Sequence, residues 1–182
     1  MTTLLPIDDV KDDILTALRH AGRVVLQAPP GAGKTTRVPL FLLQSGLCDG
    51  KILMLEPRRL ATRAAAERMA ATLGEHVGET VGFRMRGQSK SGPNTRIEVI
   101  TEGILTRMIQ SNSDLPGISA ILFDEFHERS LAADLGLALA WEIRETLRDD
   151  LMIGVMSATL DAQPVAHMLH NAPIVTAQGR SF

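Results

Sequence analysis

The sequence has little cysteine and few aromatic residues. Cys48 is its single cysteine, tyrosine is missing, and aromatic residues make up 3% of the chain. One thiol excludes an internal disulfide and a thiolate metal cage, which favours a reducing compartment such as the cytoplasm. The shortage of rings removes the platform on which many single-strand-binding proteins stack bases. Any contact with nucleic acid would therefore have to be made to its backbone.

Long apolar runs and an excess of one charge are also missing. No run reaches the roughly 18 apolar residues that a membrane helix needs, and the N-terminus lacks the order of a signal peptide. A formal net charge of −2 does not suit a domain whose whole surface attracts nucleic acid. The length of 182 residues and the 45% hydrophobic content predict one globular domain over residues 1–182, without a membrane segment.

Short apolar runs alternate with helical patterns along the chain. Strands are predicted over residues 23–28, 52–55, 81–85, 97–100, 120–123, 152–156 and 174–177. Helices are predicted over residues 8–21, 34–44, 59–73, 104–110, 131–147 and 162–169, and a surface loop over 87–94. This alternation is typical of right-handed crossovers and a mostly parallel sheet sandwiched by helices. The predicted fold class is α/β, with ligands bound beyond the carboxyl ends of the strands.

Two other patterns have simple interpretations. Four apolar residues of the fifth predicted helix recur at helical spacing and are predicted to belong to the core: Leu131, Leu135, Leu139 and Ile143. His167 and His170 are three positions apart, a spacing that can bind a metal, but the sequence shows no third ligand. Surface histidines are far commoner than metal ligands, so no metal site is predicted there.

The segment APPGAGKTT after the first predicted strand matches the phosphate-loop pattern G-x-x-x-x-G-K-[ST], except that Ala28 replaces the first glycine. Glycines let backbone N–H groups converge on phosphate oxygens, and the helix N-terminus adds a partial positive charge. Lys34 would supply a charge for the β and γ phosphates, and Thr35 a hydroxyl for Mg²⁺. The predicted nucleotide-binding residues are Gly31, Ala32, Gly33, Lys34, Thr35 and Thr36. The alternative is a glycine-rich turn that caps a helix, but the strand before it and the helix after it favour nucleotide binding.

The stretch FDEFHERS allows three interpretations. A zinc-hydrolase helix would need His-Glu-x-x-His, but Leu131 stands where the second histidine should be. An ion-paired turn is the second interpretation. In the third, the acids at the strand end serve the phosphate loop. Asp124 would hold Mg²⁺, and Glu125 would orient or deprotonate the attacking water. The phosphate loop upstream favours this third interpretation.

Five short motifs follow one another along the chain, in the order PGAGKTT, EPRRLATRAA, TEG, DEFHER and SAT. The chain resembles the DEAH/RHA group of superfamily 2 helicases, in which these are motifs I, Ia, Ib, II and III. Phe126 stands where the DEAH motif usually has alanine. In this substitution the chain resembles the bacterial HrpB type of the group. The resemblance covers the chain from about residue 24 to its end. It implies a RecA-like first motor domain that uses ATP and Mg²⁺ to move 3′-to-5′ along single-stranded nucleic acid, RNA more than DNA.

The resemblance also implies roles that spacing does not reveal. His127 would relay the nucleotide state to a second RecA-like domain and joins Lys34, Asp124 and Glu125 as a catalytic residue. Ser157 and Thr159 of motif III would couple hydrolysis to strand movement. Arg68 would stack on the nucleotide base; its alternative is a solvated helix arginine.

Four residues match family positions that hold the phosphate backbone of a single strand: Arg58, Arg59, Thr101 and, as an addition, Arg84. The alternative interpretation is that these residues are ordinary surface groups without a role in binding. Arginine fingers would lie on the second domain, which this chain lacks, and related sites lose about 10³- to 10⁵-fold in rate without them. The chain alone is expected to bind nucleotide weakly, hydrolyse it slowly and unwind nothing. Two other functions stay open: an NTPase that remodels a partner other than nucleic acid, and a nucleotide-gated interaction module.

Overall fold

The computed structural model describes residues 4–158 and 161–179, and in that part of the chain eight strands form one sheet. In chain order they are β1 Arg23–Gln27, β2 Lys51–Leu55, β3 Val81–Met85, β4 Gln88–Lys90, β5 Ile97–Ile100, β6 Ile118–Phe123, β7 Met152–Ser157 and β8 Ile174–Thr176. The helices of the same residues are α1 Lys11–Ala21, α2 Lys34–Ser45, α3 Arg59–Thr72, α4 Glu102–Ser111, α5 Leu131–Thr146 and α6 Gln163–Met168. Two 3-10 helices, Pro6–Val10 and Phe126–Glu128, complete the set.

The strand order across the sheet is β4-β3-β5-β2-β6-β7-β1-β8. Every pairing is parallel except that of β4 with β3, which is antiparallel. The predicted α/β fold with a mostly parallel sheet is confirmed. This order places β6 and β2 side by side near the centre, and β1 two strands from β6. The carboxyl ends of these three strands therefore meet at one edge of the sheet, where ligands bind in folds of this kind.

Most predicted elements agree with the structure within about two residues at each end, and two predictions differ by more. The surface loop predicted over residues 87–94 is wrong for Gln88–Lys90, which pair with β3 as an edge strand. All three β4 residues are exposed, so no alternation of apolar and polar residues marks them as a strand. The first α-helix begins at Lys11 and not at Asp8, because the preceding residues form a 3-10 turn in which the Leu5 N–H donates to the Asp8 carboxylate at 2.8 Å.

Apolar side chains form one layer on each face of the sheet. The first layer joins the sheet to α1, α2 and α3, and the second joins it to α4, α5 and α6. Alternate residues of a strand supply the two layers, as Leu122 and Phe123 of β6 do. Burying a side chain of this size contributes about 1.5–3 kcal/mol. Within residues 4–158 and 161–179, no helix is long and apolar enough to cross a membrane.

Helix α5 packs on the sheet with a different face from the predicted one. Leu131 is 87% exposed and Leu135 46% exposed, so the prediction that they belong to the core is wrong. The buried face consists of Ala133, Gly136, Leu137, Ala140 and Ile143. Small residues let the helix approach closely, and a Cβ added at Gly136 would lie 3.5 Å from the Phe123 ring. A pattern based on hydrophobicity alone gives such small residues too little weight.

Candidate nucleotide site

The loop between β1 and α2 owes its shape to two glycines. Gly31 and Gly33 have φ angles of +78° and +93°, which only glycine adopts without strain. A Cβ added at Gly33 would also lie 2.5 Å from a methyl group of Leu5. Ala28, which replaces the first glycine of the motif, is buried and does not have a positive φ, and its N–H donates to the Ser157 carbonyl at 3.0 Å. The loop therefore tolerates alanine at this position.

Thr35 and Asp124 meet across the strand-end edge, although they lie 89 residues apart in sequence. The Thr35 hydroxyl donates to Oδ2 of Asp124 at 2.5 Å, and the N–H of Glu125 donates to Oδ1 at 2.9 Å. Asp124 is only 5% exposed. Burial raises the pKa of Asp124, whereas the Thr35 hydroxyl and the Lys34 ammonium oppose that rise. The loop and the acidic strand end thus meet at one site, with the Asp124 carboxylate buried between them.

A chain of polar contacts runs from Lys34 to motif III. The buried Lys34 ammonium lies 3.4 Å from Oε1 of Glu125, and Oε2 of Glu125 lies 3.1 Å from Nε2 of His127. Nδ1 of His127 accepts the N–H of Ala158 at 3.1 Å. Since Nδ1 accepts, the ring proton is on Nε2 and is donated to Glu125. These contacts link Lys34, Glu125, His127 and Ala158 in series, so that the Glu125 carboxylate lies between an ammonium group and an imidazole ring.

The turn that carries Glu125 is a strained 3-10 turn and not a zinc-binding helix. Glu125 has φ +51° and ψ 34°, a left-handed conformation that costs a non-glycine residue roughly 1–2 kcal/mol. The next side chain, Phe126, is 2% exposed, and its burial contributes about 1.5–3 kcal/mol, enough to offset that strain. The three residues Phe126–Glu128 form the whole turn, and α5 starts only at Leu131. The helix that a zinc site of the His-Glu-x-x-His type requires is thus not formed here.

One further acid in this site was not predicted from the sequence. Glu56 follows β2 as Asp124 follows β6, and the two strands are paired, so the two carboxyls are neighbours. Glu56 is 3% exposed. Burial, and next the adjacent charge of Asp124, raise the pKa of Glu56 from 4.5 to about 9. Because donors surround Asp124, the proton of the pair belongs on Glu56, which can donate a hydrogen bond to Asp124.

The raised pKa of Glu56 predicts a pH-dependent stability in the absence of divalent ions. The folded chain keeps this proton up to about pH 9, whereas the unfolded chain loses it near pH 4.5. The folded state therefore binds more protons between these values, and its stability falls as the pH rises through that window. We expect the unfolding equilibrium constant to rise by at most about tenfold per pH unit relative to Glu56→Gln, which cannot ionise. Urea unfolding of both proteins at pH 5, 7 and 9 measures this difference, and parallel pH profiles would contradict it.

A cleft of about 540 Å³ extends from the phosphate loop along α3. Its lining includes Pro30, Thr35, Thr36, Glu56, Arg58, Ala61, Ala64, Ala65, Arg68, Glu125, His127 and Glu128. Arg68 thus lies in the same cleft as Thr35 and Thr36, and the lining of this cleft also includes the small residues Ala61, Ala64 and Ala65. The structure brings the residue predicted to contact a base together with the residues predicted to contact phosphates.

The residues predicted to contact a single strand have mixed surroundings. Arg58 forms an ion pair with Glu128 of motif II and is largely exposed, and Arg59 donates to the Arg86 carbonyl at 2.8 Å. Thr101 precedes α4. These residues follow β2 and β5, which are adjacent, and so they share one edge of the sheet.

Arg84 is placed differently from the other predicted strand contacts. Its guanidinium donates at 2.8 Å to the fully buried Glu98 carboxylate, which also lies 3.3 Å from Lys51. The charge of Arg84 is thus already engaged by a buried acid. Arg86, which was not singled out from the sequence, is exposed at the end of β3 beside Arg59. Arg86 lies two positions after Arg84, and the two-residue spacing of side chains along a strand could have indicated it from the sequence.

Motif III and the histidine pair complete the predicted residues. Ser157 ends β7, whereas Thr159 lies outside the described residues. His167 lies 3.4 Å from the Asn171 side chain, and His170 lies 3.7 Å from Glu145. In the part of the chain that the structure describes, Glu125, His127 and Glu128 are the one group of three acidic or imidazole residues close enough to share a metal ion. His127 and Glu128 of this group already bind Ala158 and Arg58.

The model of the DEAD/DEAH box helicase family matches residues 9–168. The chain belongs to this family. Two curated relatives from Escherichia coli are similar over nearly its whole length. The ATP-dependent RNA helicase HrpB is 54% identical over 98% of this chain and 22% of its own length. The ATP-dependent RNA helicase HrpA is 36% identical over 98% of this chain and 14% of its own length. The chain therefore spans about a fifth or less of the length of these two relatives.

Solved helicase structures share the fold. The crystal structure of the E. coli DExH-box NTPase HrpB matches all of this chain and 22% of its own with a TM-score of 0.95 at 53% identity. A crystal structure of the E. coli DEAH/RHA helicase HrpB matches 98% of this chain and 23% of its own with a TM-score of 0.93 at 54% identity. The predicted RecA-like fold and the resemblance to the DEAH/RHA group are confirmed. Glu56 and Arg58 both fall in helicase motif Ia, beside motif II.

Proposed function

We propose that residues 1–182 form the ATP-binding motor domain of an ATP-dependent RNA helicase that couples hydrolysis to 3′-to-5′ movement on a single strand. The contact of Thr35 with Asp124 carries the proposal, because it joins the phosphate loop to the acidic strand end in a DEAD/DEAH box helicase fold. The polar chain through Lys34, Glu125 and His127 adds the groups that hydrolysis needs. The proposed location is the cytoplasm, and the proposed partners are RNA and a second RecA-like domain.

The oxygen donors of the site suit a magnesium ion. The Thr35 hydroxyl and the Asp124 carboxylate are hard ligands within 2.5 Å of each other, and a carboxylate with one hydroxyl neighbour is typical of Mg²⁺–nucleotide sites. These two residues would hold the ion. It would neutralise charge on the transferred phosphoryl group. Glu56, protonated beside Asp124, would orient that carboxylate without adding a second negative charge.

The remaining groups act on the nucleotide and on the attacking water. Backbone N–H groups from Gly31 to Thr36 would hold the phosphates, with the Lys34 ammonium on the β and γ phosphates. Without a nucleotide, that buried ammonium is balanced by Glu125 at 3.4 Å. When phosphate oxygens take over this balance, Glu125 is free to accept a proton from water in line with the leaving group. His127 would hold Glu125 in orientation, through the proton on Nε2.

The other predicted residues serve binding and coupling. Arg68 would lie on the base, a contact without base preference. Arg58, Arg59 and Thr101 would hold the strand backbone at the edge shared by β2 and β5. Arg84 would contribute less to binding the strand, because its guanidinium is already paired with Glu98. Ser157 and Thr159 would couple hydrolysis to movement, and the contact of Ala158 with His127 supports that role for motif III.

The test is ATP hydrolysis by a polypeptide that contains this chain and the proposed second motor domain, with and without single-stranded RNA and DNA. We expect single strands to stimulate hydrolysis, RNA more than DNA. We expect the 182-residue chain alone to be far slower, because the arginine fingers are proposed to lie on the second motor domain. Strand binding that never occurs would contradict the helicase function and favour the remodelling of another partner. Duplex unwinding by the 182-residue chain alone would contradict the proposal that a second motor domain is required.

A further inference from the structure

Phe126 stands between Glu125 and His127, at a position where a DEAH motif carries alanine. We infer that Phe126 is a positioning residue that fixes the orientation of both neighbours for ATP hydrolysis. This inference rests on the proposed function, since it assigns a task to a side chain that touches neither nucleotide nor water. Phe126 is 2% exposed and does not line the nucleotide cleft, whereas Glu125 and His127 do.

The ring is held on two sides. Phe123, at the end of β6, meets it edge-on with ring centroids 6.4 Å apart and planes at 86°. The guanidinium carbon of Arg129 lies 5.2 Å from the centre of the Phe126 ring. Asp134 of α5 fixes that guanidinium with two contacts of 2.9 and 3.2 Å. The ring therefore ties the turn to β6 below it and to α5 beside it.

The backbone of the turn needs such an anchor. Glu125 and Arg129, the residues that bracket it, both have positive φ angles, +51° and +41°. Strained conformations persist only where the surroundings determine them. Phe126 is the one buried residue of the 3-10 turn Phe126–Glu128. The buried ring is therefore an apolar anchor directly next to Glu125, whose carboxylate lies 3.4 Å from the Lys34 ammonium.

A small cavity next to the ring explains how its loss would reach the catalytic groups. About 170 Å³ of space lies between Phe126, Val165 and the end of β7, and its wall includes His127, Ser157 and Asp161. An enlarged cavity with polar walls can hold water. Water there would compete for Nδ1 of His127, which now accepts the Ala158 N–H. Removal of the ring is thus expected to free His127 and, through it, Glu125.

The experiment compares Phe126→Ala, Phe126→Leu and Phe83→Ala in a polypeptide that contains this chain and the proposed second motor domain. Phe83 is the matched control, because it is 6% exposed and packs in the other apolar layer. Single-turnover ATP hydrolysis and nucleotide affinity are measured, together with the ¹⁵N signals of the His127 ring. We expect Phe126→Ala to slow hydrolysis by about 10-fold or more with affinity unchanged within about twofold, and to lose the single Nε2–H tautomer. Phe126→Leu should restore most of the rate, and Phe83→Ala should change neither rate nor tautomer.

Two results would overturn the inference. One is a folded Phe126→Ala variant that keeps both the rate and the tautomer, and the other is a loss as large in Phe83→Ala. If Phe126→Ala does not fold, the series Phe126→Leu and Phe126→Val replaces it, with hydrolysis expected to fall as side-chain volume falls; equal rates in that series would also overturn it. The proposed function fails separately, if Glu125→Gln hydrolyses ATP as fast as the unchanged chain. The tautomer measurement does not depend on that outcome.

Discussion

Replacement of Glu125 by glutamine is expected to slow ATP hydrolysis by about 10²- to 10⁴-fold, the usual contribution of a general base. The amide keeps the size of the side chain but cannot accept the proton of the attacking water. Nucleotide binding should persist or tighten, because the Lys34 ammonium, 3.4 Å away, loses its carboxylate partner and seeks the phosphates. Single-turnover hydrolysis and the dissociation rate of a fluorescent nucleotide measure the two effects.

The matched control for Glu125→Gln is Glu67→Gln. Glu67 lies on α3 and pairs with Arg63 on the surface, so its loss should leave hydrolysis unchanged. The same variant separates a motor from a nucleotide-gated interaction module. A motor should hold nucleotide and stop working, whereas a pure binding switch should keep its function. Hydrolysis at the original rate in Glu125→Gln would remove Glu125 from the catalytic role.

The double substitution of Arg58 and Arg59 by alanine is expected to weaken single-strand binding and to flatten its dependence on salt. Each lost phosphate contact lowers the slope of log affinity against log salt by about 0.7 for a single strand, so two contacts lower it by about 1.4. Arg58 is paired with Glu128, and a strand phosphate has to displace that carboxylate. Glu128→Gln should therefore raise the affinity for single strands at low salt, the opposite of the arginine substitutions. Fluorescence anisotropy at several salt concentrations measures both effects.

Arg63→Ala is the control for the arginine substitutions. Arg63 lies one turn further along α3 and is already paired with Glu67. We expect it to leave both the affinity and the salt slope nearly unchanged. An equal loss of binding in Arg63→Ala would show that general charge, and not the predicted contacts, holds the strand. An unchanged slope in the double variant would place the strand elsewhere on the domain.

Most of the fold could be predicted because its signals are local. Short apolar strands and amphipathic helices alternate clearly, and the structure has each of them close to its predicted place. Two of the misses, strand β4 and the buried face of α5, depend on partners from elsewhere in the chain. Strand β4 is polar on both faces and exists through its pairing with β3. The buried face of α5 combines the small residues Ala133, Gly136 and Ala140 with Leu137 and Ile143, whereas Leu131 and Leu135 are exposed.

The candidate site divides in the same way. The phosphate loop is one contiguous segment, and its glycines, lysine and threonine take their places through local backbone geometry, so the sequence alone indicated them. Asp124 and Glu125 could be predicted because they follow an apolar strand. Glu56 also follows a strand, yet nothing local says that β2 pairs with β6, and only that pairing brings its carboxyl to Asp124.

The sequence by itself thus determined the phosphate-loop motif, the acidic strand end and the helicase family, because each motif is a run of residues adjacent in the chain. The tertiary structure alone decided what those residues touch. It paired Arg58 with Glu128, linked Glu125 through His127 to Ala158, and buried Phe126 below them. The physical reason is the parallel sheet, in which neighbouring strands are distant in sequence. Their order is fixed by the packing of the whole core, and that order sets which side chains meet at the strand ends.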